Sequence, residues 1–305
     1  MSLSVLANTF ANNILPILLL GGAGFMLGKI MHVDPRSLGR VVFYVFSPVL
    51  IFDLLVKNSL KWGEAASVIG FTVTIVLFMG LLAFLFGAFL KLERPALVAI
   101  VITTMFANTG NYGLPLVSFA FGAEALSYAG VYFITTTFMF YTIGVVIASL
   151  GHMNLKEAVL GLLKLPTLYA VLVAAIVIQF GITIPAPINR AVDLAAGGTL
   201  PLMLVLLGVQ MTDVRLTGNR RALSLSVGLR LFAAPLLGLA LAALFGIQGS
   251  ARQGAVTQAS MPSMVSATVL AAEYHLDSKL IAAVVFVSTL LSPLTLTLLL
   301  VFLGS

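Results

Sequence analysis

The stretch Thr-Met-Phe-Ala-Asn-Thr-Gly-Asn-Tyr-Gly-Leu-Pro-Leu-Val-Ser, residues 104–118, places two asparagines, two glycines and a proline inside an otherwise apolar run. A run of this kind is expected to cross a membrane as an unbroken helix, because lipid offers no hydrogen-bond partner to a freed N–H or C=O group. Glycines and a proline so close together break the helix. Such a break is tolerated at bilayer depth only where protein buries the freed groups or they line a cavity. The segment from Asn108 to Pro115 is therefore the first candidate for a transport site.

The composition of the whole chain is that of an integral membrane protein. Of its 305 residues, 60% are hydrophobic and 9% are charged, whereas soluble domains average roughly 25% charged residues. The chain contains no cysteine, and its histidines are too far apart in sequence to pair as metal ligands, so no disulfide and no metal cofactor are expected. The net charge of +6 comes from basic residues spread singly or in pairs over short loops. Topogenic signals explain that pattern better than a nucleic-acid partner does.

Apolar stretches of about 20 residues recur along the chain and predict an all-α polytopic membrane protein with ten transmembrane helices. The predicted spans cover residues 8–30, 37–57, 64–90, 96–119, 124–149, 161–181, 190–211, 221–246, 251–273 and 279–303. Basic residues alternate between the loops, and the richer set is expected in the cytoplasm. That set is Lys29, Arg36, Arg40, Lys91, Arg94, Lys156, Lys164, Arg215, Arg220, Arg221 and Lys279. The poorer set is Lys57, Lys61, Arg190 and Arg252, so both termini are predicted outside.

The two halves of the chain resemble each other weakly. Segments 15–16, 47–50 and 131–136 correspond to 165–166, 200–203 and 284–289 in the same order. Five spans per half is an odd number, so residues 1–150 and 151–305 are predicted to form two inverted five-helix repeats. The symmetry demands that span 9 be interrupted like span 4, and Pro262 lies in its middle with Gln258, Ser260, Ser263 and Ser266 around it. Paired discontinuous helices of this kind indicate a substrate site near the membrane midplane.

At these residues the chain resembles the auxin efflux carrier family, which includes the plant PIN-FORMED auxin exporters and bacterial malonate or malate permeases. The stretch Ala-Asn-Thr-Gly-Asn-Tyr-Gly-Leu-Pro-Leu, residues 107–116, carries most of the resemblance, and the ten-span layout extends it over the whole chain. The resemblance implies that helices 4 and 9 cross at Pro115 and Pro262, as in bile-acid and sodium/proton transporters, and that organic anions bind beside the crossing. It also implies a bacterial inner membrane location and homodimers formed through scaffold helices. Asp53 and Lys57 match an aspartate and a lysine that recur in the plant proteins.

The residues of span 4 suggest two roles. Asn108 and Asn111 lie at i, i+3, on one face if the backbone is helical up to the break. Their amides can donate to a substrate carboxylate, and the half-helix after the break adds unpaired N–H groups and a positive dipole end. Alternatively, both asparagines cap the broken helix ends; the two roles can coexist. Gly110, Gly113 and Pro115 are expected to set the backbone geometry and to allow close approach of span 9.

In span 9, Gln258, Ser260 and Ser263 form the matching polar set. They either contact substrate, join helices, or, for the serines, bond back to the preceding turn. Gln210 in span 7 either faces the same cavity or makes an interhelical hydrogen bond. The sequence leaves these alternatives open.

Asp53 and Lys57 form an i, i+4 pair on span 2. The carboxylate is predicted deep in the membrane, where it either carries a proton or serves as a neutralised support beneath the site. Lys57 lies near the outer end of the span and can alternatively snorkel to water, leaving Asp53 with another partner. Arg230 in span 8 is expected to snorkel to the cytoplasmic end of its helix rather than to pair with substrate.

Together these features predict a secondary transporter for small organic anions, either carboxylates or auxin-like acids. Spans 3–5 and 8–10 would move as a core against a scaffold of spans 1, 2, 6 and 7, exposing the site to each side in turn. An uncharged site is expected, because a fixed buried cation is costly in the membrane and slows release. A proton- or sodium-coupled symporter of the same fold and an anion channel are the alternatives. No catalytic motif indicates an enzyme.

Overall fold

The computed structural model describes residues 2–57, 62–149, 161–212, 219–274 and 276–304. Within these ranges the regular structure is helical, apart from one isolated two-residue bridge. The helices are α1 (Leu3–Met31), α2 (Pro35–Lys57), α3 (Trp62–Phe89), α4 (Arg94–Met105), α5 (Thr109–Ala148), α6 (Pro166–Gln179), α7 (Ala186–Gln210), α8 (Arg220–Leu244), α9 (Gly249–Ala259), α10 (Ala267–Glu273) and α11 (Ser278–Gly304).

Seven of the described helices are long and apolar enough to cross a membrane, namely α1, α2, α3, α5, α7, α8 and α11. The predicted spans 4 and 9 are each divided by a break, and predicted span 6 corresponds to α6, which has only 14 residues. Helix α5 has 40 residues because the second part of span 4 continues into span 5. It bends at Gly122, whose φ of 79° and ψ of −165° are not helical. The protein is therefore an all-helical, multi-pass membrane protein with interrupted segments.

Short polar side chains set where two helices begin. The Asp34 carboxylate accepts from the N–H groups of Arg36 and Ser37 and from the Ser37 hydroxyl, which satisfies donors that the first turn of α2 leaves free. These bonds, led by the Ser37 hydroxyl, lower the pKa of Asp34. Asn219 caps α8 in the same way, accepting from Arg221 N–H at 3.0 Å. Both caps lie in loops predicted to face the cytoplasm.

Helices α1 and α7 pack backbone to backbone. Gly21 of α1 contacts Leu204 of α7, and Gly28, further along α1, contacts Val209, further along α7. The two helices therefore run parallel. A Cβ atom on Gly208 would lie 1.9 Å from the Gly21 carbonyl oxygen, so only glycine fits there. Helix α2 packs along α7, and α6 packs along α2. We call α1, α2, α6 and α7 the flanking group.

The remaining helices, α3–α5 and α8–α11, pack around the two breaks, and we call them the crossing bundle. Its main apolar cluster draws on every one of these helices. A second, smaller apolar cluster lies where the flanking group meets α5. Its buried members include Leu50, Leu54, Leu114, Val117, Met203 and Leu206. The contact between the two groups is therefore mainly apolar.

Candidate functional site: the helix crossing

The breaks before α5 and after α9 meet and satisfy each other's backbone. Ala107 and Ser263 form an antiparallel bridge. Asn108 N–H donates to the Pro262 carbonyl oxygen at 2.8 Å, and a second backbone bond of 3.0 Å closes the other side of the bridge. Groups that would be unpaired in lipid are thus paired inside the protein. Pro262 lies at this crossing, whereas Pro115 lies in the second turn of α5, just after the π-helical residues Thr109–Gly113 and at the start of the α-helical part of that helix.

Hydroxyl groups brace the bridge. Ser263 Oγ donates to the Thr103 carbonyl oxygen at 2.8 Å, and Ser263 N–H donates to Ser288 Oγ at 3.1 Å. Ser260 Oγ donates back to the Val256 carbonyl oxygen at 2.7 Å. Ser260 and Ser263 are both fully buried. Their hydroxyls make structural hydrogen bonds here, and substrate contact by either residue stays a prediction.

Arg230 lies at the crossing, and the prediction that it snorkels to the membrane surface is wrong. Its side chain is only 2% exposed. Nε donates to the Met261 carbonyl oxygen at 2.8 Å and Nη1 to the Thr104 carbonyl oxygen at 2.8 Å, while Nη2 donates to the carbonyl oxygen of Ala259. The planar guanidinium can reach carbonyls on both interrupted segments at once, which a snorkelling side chain cannot.

These carbonyls explain how a buried cation is tolerated. Thr104 and Ala259 belong to the last turns of α4 and α9, where the helix dipoles place partial negative charge. Arg230 therefore balances two helix ends instead of requiring a carboxylate. The sequence marked Arg230 as a candidate, since an ionisable residue within a span is a functional candidate by default. That the ends of α4 and α9 both meet Arg230 could not be predicted from the sequence.

Gln258 fixes the start of α5 against α9. Its Nε2 donates to the carbonyl oxygens of Thr109, at 3.0 Å, and Ala129, at 3.2 Å. Its Oε1 faces Gly113 so closely that a Cβ atom there would lie 2.0 Å away. Gly113 thus allows the close approach predicted for it, and Gly110 packs against a phenylalanine ring of α5. Gln258 joins elements of the crossing bundle.

The asparagines lie at the amino-terminal end of α5. Asn108 has φ −76° and ψ 65°, so it is not helical and the expected shared i, i+3 face does not form. It is 4% exposed, and its Nδ2 has no partner among the described residues. Half-buried Asn111 donates through Nδ2 to Gln210 Oε1 at 3.3 Å. In the described part of the chain, the backbone N–H groups of Gly110 and Asn111 also have no backbone partner.

Two cavities border the described helices away from these donors. One of 440 Å³ lies among α3, α4 and α5 and is lined almost entirely by apolar side chains. The other, of 540 Å³, lies between α1, α5, α9 and α11. Neither is lined by Asn108 or Asn111. Neither of these two cavities therefore includes the donors at the crossing.

Comparison with known proteins identifies the family. A family model described as "Membrane transport protein" matches residues 9–300. The chain belongs to this membrane transport protein family. An uncharacterized transporter of Methanothermobacter thermautotrophicus is 30% identical over 94% of the chain and 95% of its own length. An uncharacterized transporter of Methanocaldococcus jannaschii is 27% identical over 93% and 95% of the two chains.

A plant relative carries the predicted resemblance. A probable auxin efflux carrier component 3b of Oryza sativa subsp. japonica is 28% identical over 44% of the chain and 24% of the plant protein. Membership of the auxin efflux carrier family is confirmed. The family and these relatives are named as transporters rather than enzymes. This chain is therefore a membrane transporter.

In this family member the Asp53–Lys57 pair includes a third residue. Lys57 Nζ lies 2.6 Å from Asp53 Oδ1 and 2.6 Å from Asp193 Oδ1. Asn189 Nδ2 donates to the other Asp193 oxygen at 3.2 Å. The alternative in which Lys57 leaves Asp53 for water is wrong, although the lysine is 46% exposed and Asp53 only 13%. Asp193 could not be predicted as a partner from the sequence, because it lies on α7, 136 residues after Lys57.

Proposed function

We propose that this transporter carries small organic anions, carboxylates or auxin-like acids, across the cytoplasmic membrane by alternating access. The observation that carries the proposal is the distribution of charge at the crossing. Arg230 occupies the negative, carboxyl-terminal ends of α4 and α9. The positive end of α5 retains unpartnered donors, including buried Asn108 Nδ2, and no carboxylate takes part in the hydrogen bonds between described residues of the crossing. A carboxylate is the group that best satisfies such donors.

Arg230 also bears on the coupling ion. Sodium at the crossing needs several oxygen ligands, and the freed carbonyls of the two breaks are the natural ones. The guanidinium already binds those of Thr104, Ala259 and Met261. This arrangement favours anion transport without sodium at this position. The proton-coupled alternative depends instead on Asp53.

The packing supports the proposed ten spans in two inverted repeats. In the proposed repeat, span 1 corresponds to span 6 and span 2 corresponds to span 7. If span 1 packs against span 7, span 6 should therefore pack against span 2. Both contacts are present, as α1 with α7 and α6 with α2. The carboxyl-terminal ends of α4 and α9 meet at Arg230, as expected for segments that enter from opposite sides. In this proposal the flanking group is the scaffold and the crossing bundle moves, which exposes the donors at the crossing to one side of the membrane at a time. Dimerisation through the scaffold is part of the same proposal and is measured by light scattering.

The direct test is ligand stabilisation of the purified protein. Malonate, malate, acetate and indole-3-acetate should raise the melting temperature, because binding to the folded state stabilises it. Malonamide, which lacks charge, should not. Repeating the series with and without sodium and at two pH values separates the coupled alternatives. Saturable uptake with counterflow in proteoliposomes supports a carrier, whereas equal stabilisation by malonamide, or currents at single-channel rates, contradicts the proposal.

A further inference from the structure

The hydrogen bond between Asn111 and Gln210 joins the two groups of helices. Asn111 belongs to the crossing bundle, at the start of α5, and Gln210 ends α7 of the flanking group. Between described residues of the two groups, this is the one side-chain hydrogen bond. The surrounding contact is the apolar cluster of α2, α5 and α7. Movement of one group past the other must break this bond, whereas apolar contacts can re-form at another position.

The chemistry of the pair resembles that of a bound substrate. Gln210 presents a neutral carbonyl oxygen, 3.3 Å from Asn111 Nδ2, at the end of α5 that carries the unpartnered donors. A substrate carboxylate offers an oxygen of the same geometry with a negative charge, and charged acceptors form stronger hydrogen bonds. Both side chains are only half-buried. An incoming carboxylate can therefore replace Gln210 on Asn111.

We propose that Gln210 is a latch that holds the empty carrier and is displaced by substrate. The inference rests on the proposed function, since it needs a carboxylate that binds Asn111. Without substrate, the Asn111–Gln210 bond restrains the crossing bundle against the flanking group. With substrate bound, Asn111 donates to the anion and the restraint is gone. The loaded carrier then changes conformation more readily than the empty one, so the transporter exchanges anions faster than it moves them in one direction.

Gln210→Leu tests the latch in proteoliposomes. The probe is radiolabelled malonate, replaced by malate, acetate or indole-3-acetate if one of these gives the largest thermal stabilisation. In the wild type, uptake into vesicles loaded with the same unlabelled anion should exceed uptake into empty vesicles. Removal of the acceptor should lower this ratio by about two- to tenfold, the range for one net hydrogen bond. The half-saturation concentration should also fall, because the anion no longer competes with Gln210.

Gln253→Leu is the matched control. Gln253 Nε2 donates to the Leu303 carbonyl oxygen at 3.2 Å, but α9 and α11 both belong to the crossing bundle. Loss of this bond should leave the exchange ratio at the wild-type value. Gln210→Glu should raise the half-saturation concentration, because a permanent carboxylate then occupies Asn111. A Gln210→Leu protein whose ratio equals that of the wild type, or whose exchange and net uptake fall by the same factor, overturns the latch.

Thermal unfolding without any carboxylate separates the latch from the transport proposal. Asn111→Ala and Gln210→Leu should each lower the melting temperature, and the double variant should lose less than the sum of the two. Strict additivity shows that the bond does not hold the groups together and overturns the latch whatever the protein transports. Coupling in this cycle together with absence of carboxylate transport by the wild type contradicts the proposed function and, with it, displacement by substrate.

Discussion

Arg230 changes how the site works at the scale of single residues. From sequence, an uncharged site was expected, because a buried cation would hold the anion too tightly. The cation is present, but it binds the carbonyl oxygens of α4 and α9 rather than an open substrate position. Its charge balances negative helix ends. In the proposed function, the amino-terminal end of α5 is then the surface that attracts the anion. The three hydrogen bonds of Arg230 offset the cost of burying its charge and keep the guanidinium away from the proposed substrate position.

Arg230→Lys and Arg230→Gln should separate charge from geometry. A lysine keeps the charge but cannot span three carbonyls with one ammonium, so we expect a lower melting temperature with the preference for malonate over malonamide retained. Glutamine removes the charge and leaves buried carbonyls unpaired, at about 1–3 kcal/mol each, and the preference should be lost. Thermal unfolding and ligand stabilisation measure both effects. A glutamine variant as stable and as anion-selective as the wild type would show that Arg230 has neither role.

Substitutions of Asn108 can distinguish a role in substrate contact from a role in helix capping. Its backbone N–H makes the bond to Pro262, while its side-chain Nδ2 is free of partners among the described residues. Asn108→Ala should therefore fold and bind a carboxylate at least about tenfold more weakly, as expected for a lost hydrogen bond to a charged group. Asn108→Asp should abolish binding by charge repulsion. Unchanged affinity in the alanine variant, measured by thermal titration, would assign the side chain to the helix end alone.

The position of Lys57 between the carboxylates of Asp53 and Asp193 favours a supporting role for Asp53 over a role as proton carrier. The lysine neutralises one negative charge and ties α2 to α7, so Asp53→Asn and Asp193→Asn should lower the transport rate modestly, with losses that are not additive because both act through Lys57. The pH profile should stay that of the wild type. Rates measured across pH in proteoliposomes provide the test. Loss of the pH dependence in Asp53→Asn but not in Asp193→Asn would instead identify Asp53 as a proton carrier.

At the scale of helices, the flanking group depends on a backbone contact between α1 and α7. A methyl group on Gly208 would meet the Gly21 carbonyl at 1.9 Å, and backbone cannot yield as a side-chain end does. Gly208→Ala should destabilise the protein by about 1–3 kcal/mol through overpacking. Gly197 lies on the same helix with no atom within 4 Å of its added Cβ, so Gly197→Ala should be neutral or stabilising. Equal melting temperatures for the two variants would rule out the close contact.

The two breaks, and the crossing of helices 4 and 9, were predicted from the sequence and its resemblance, but the contacts that join the breaks were not. Glycine and proline mark where a helix fails, so both interruptions could be located to within a few residues. The bridge at Ala107 and Ser263 is made by backbone groups of segments far apart in the chain, so the side chains of these residues do not reveal it. The same applies to Arg230, whose carbonyl partners come from two helices. Local signals specify elements, while these contacts depend on how the elements meet.

At the scale of the whole molecule, the basic residues and the packing lead to one orientation. Lys57 at the end of α2 pairs with Asp193 near the start of α7, which places those two helix ends on the same side of the membrane. The richer set of basic residues, including Arg36 and Arg220, is predicted to face the cytoplasm. With the proposed ten spans, both termini and the start of α7 are then predicted to lie outside.

Single cysteines should report this orientation without background, because the chain contains none of its own. In intact cells, Ser2→Cys and Asn189→Cys should react with a membrane-impermeant maleimide. Arg36→Cys and Arg220→Cys should react only after permeabilisation, since they lie at the ends of α2 and α8 that are predicted to face the cytoplasm. Labelling of Ser2→Cys and Asn189→Cys from opposite sides would require an odd number of crossings between them. The inverted repeat, and with it the proposed alternating movement, would then be wrong.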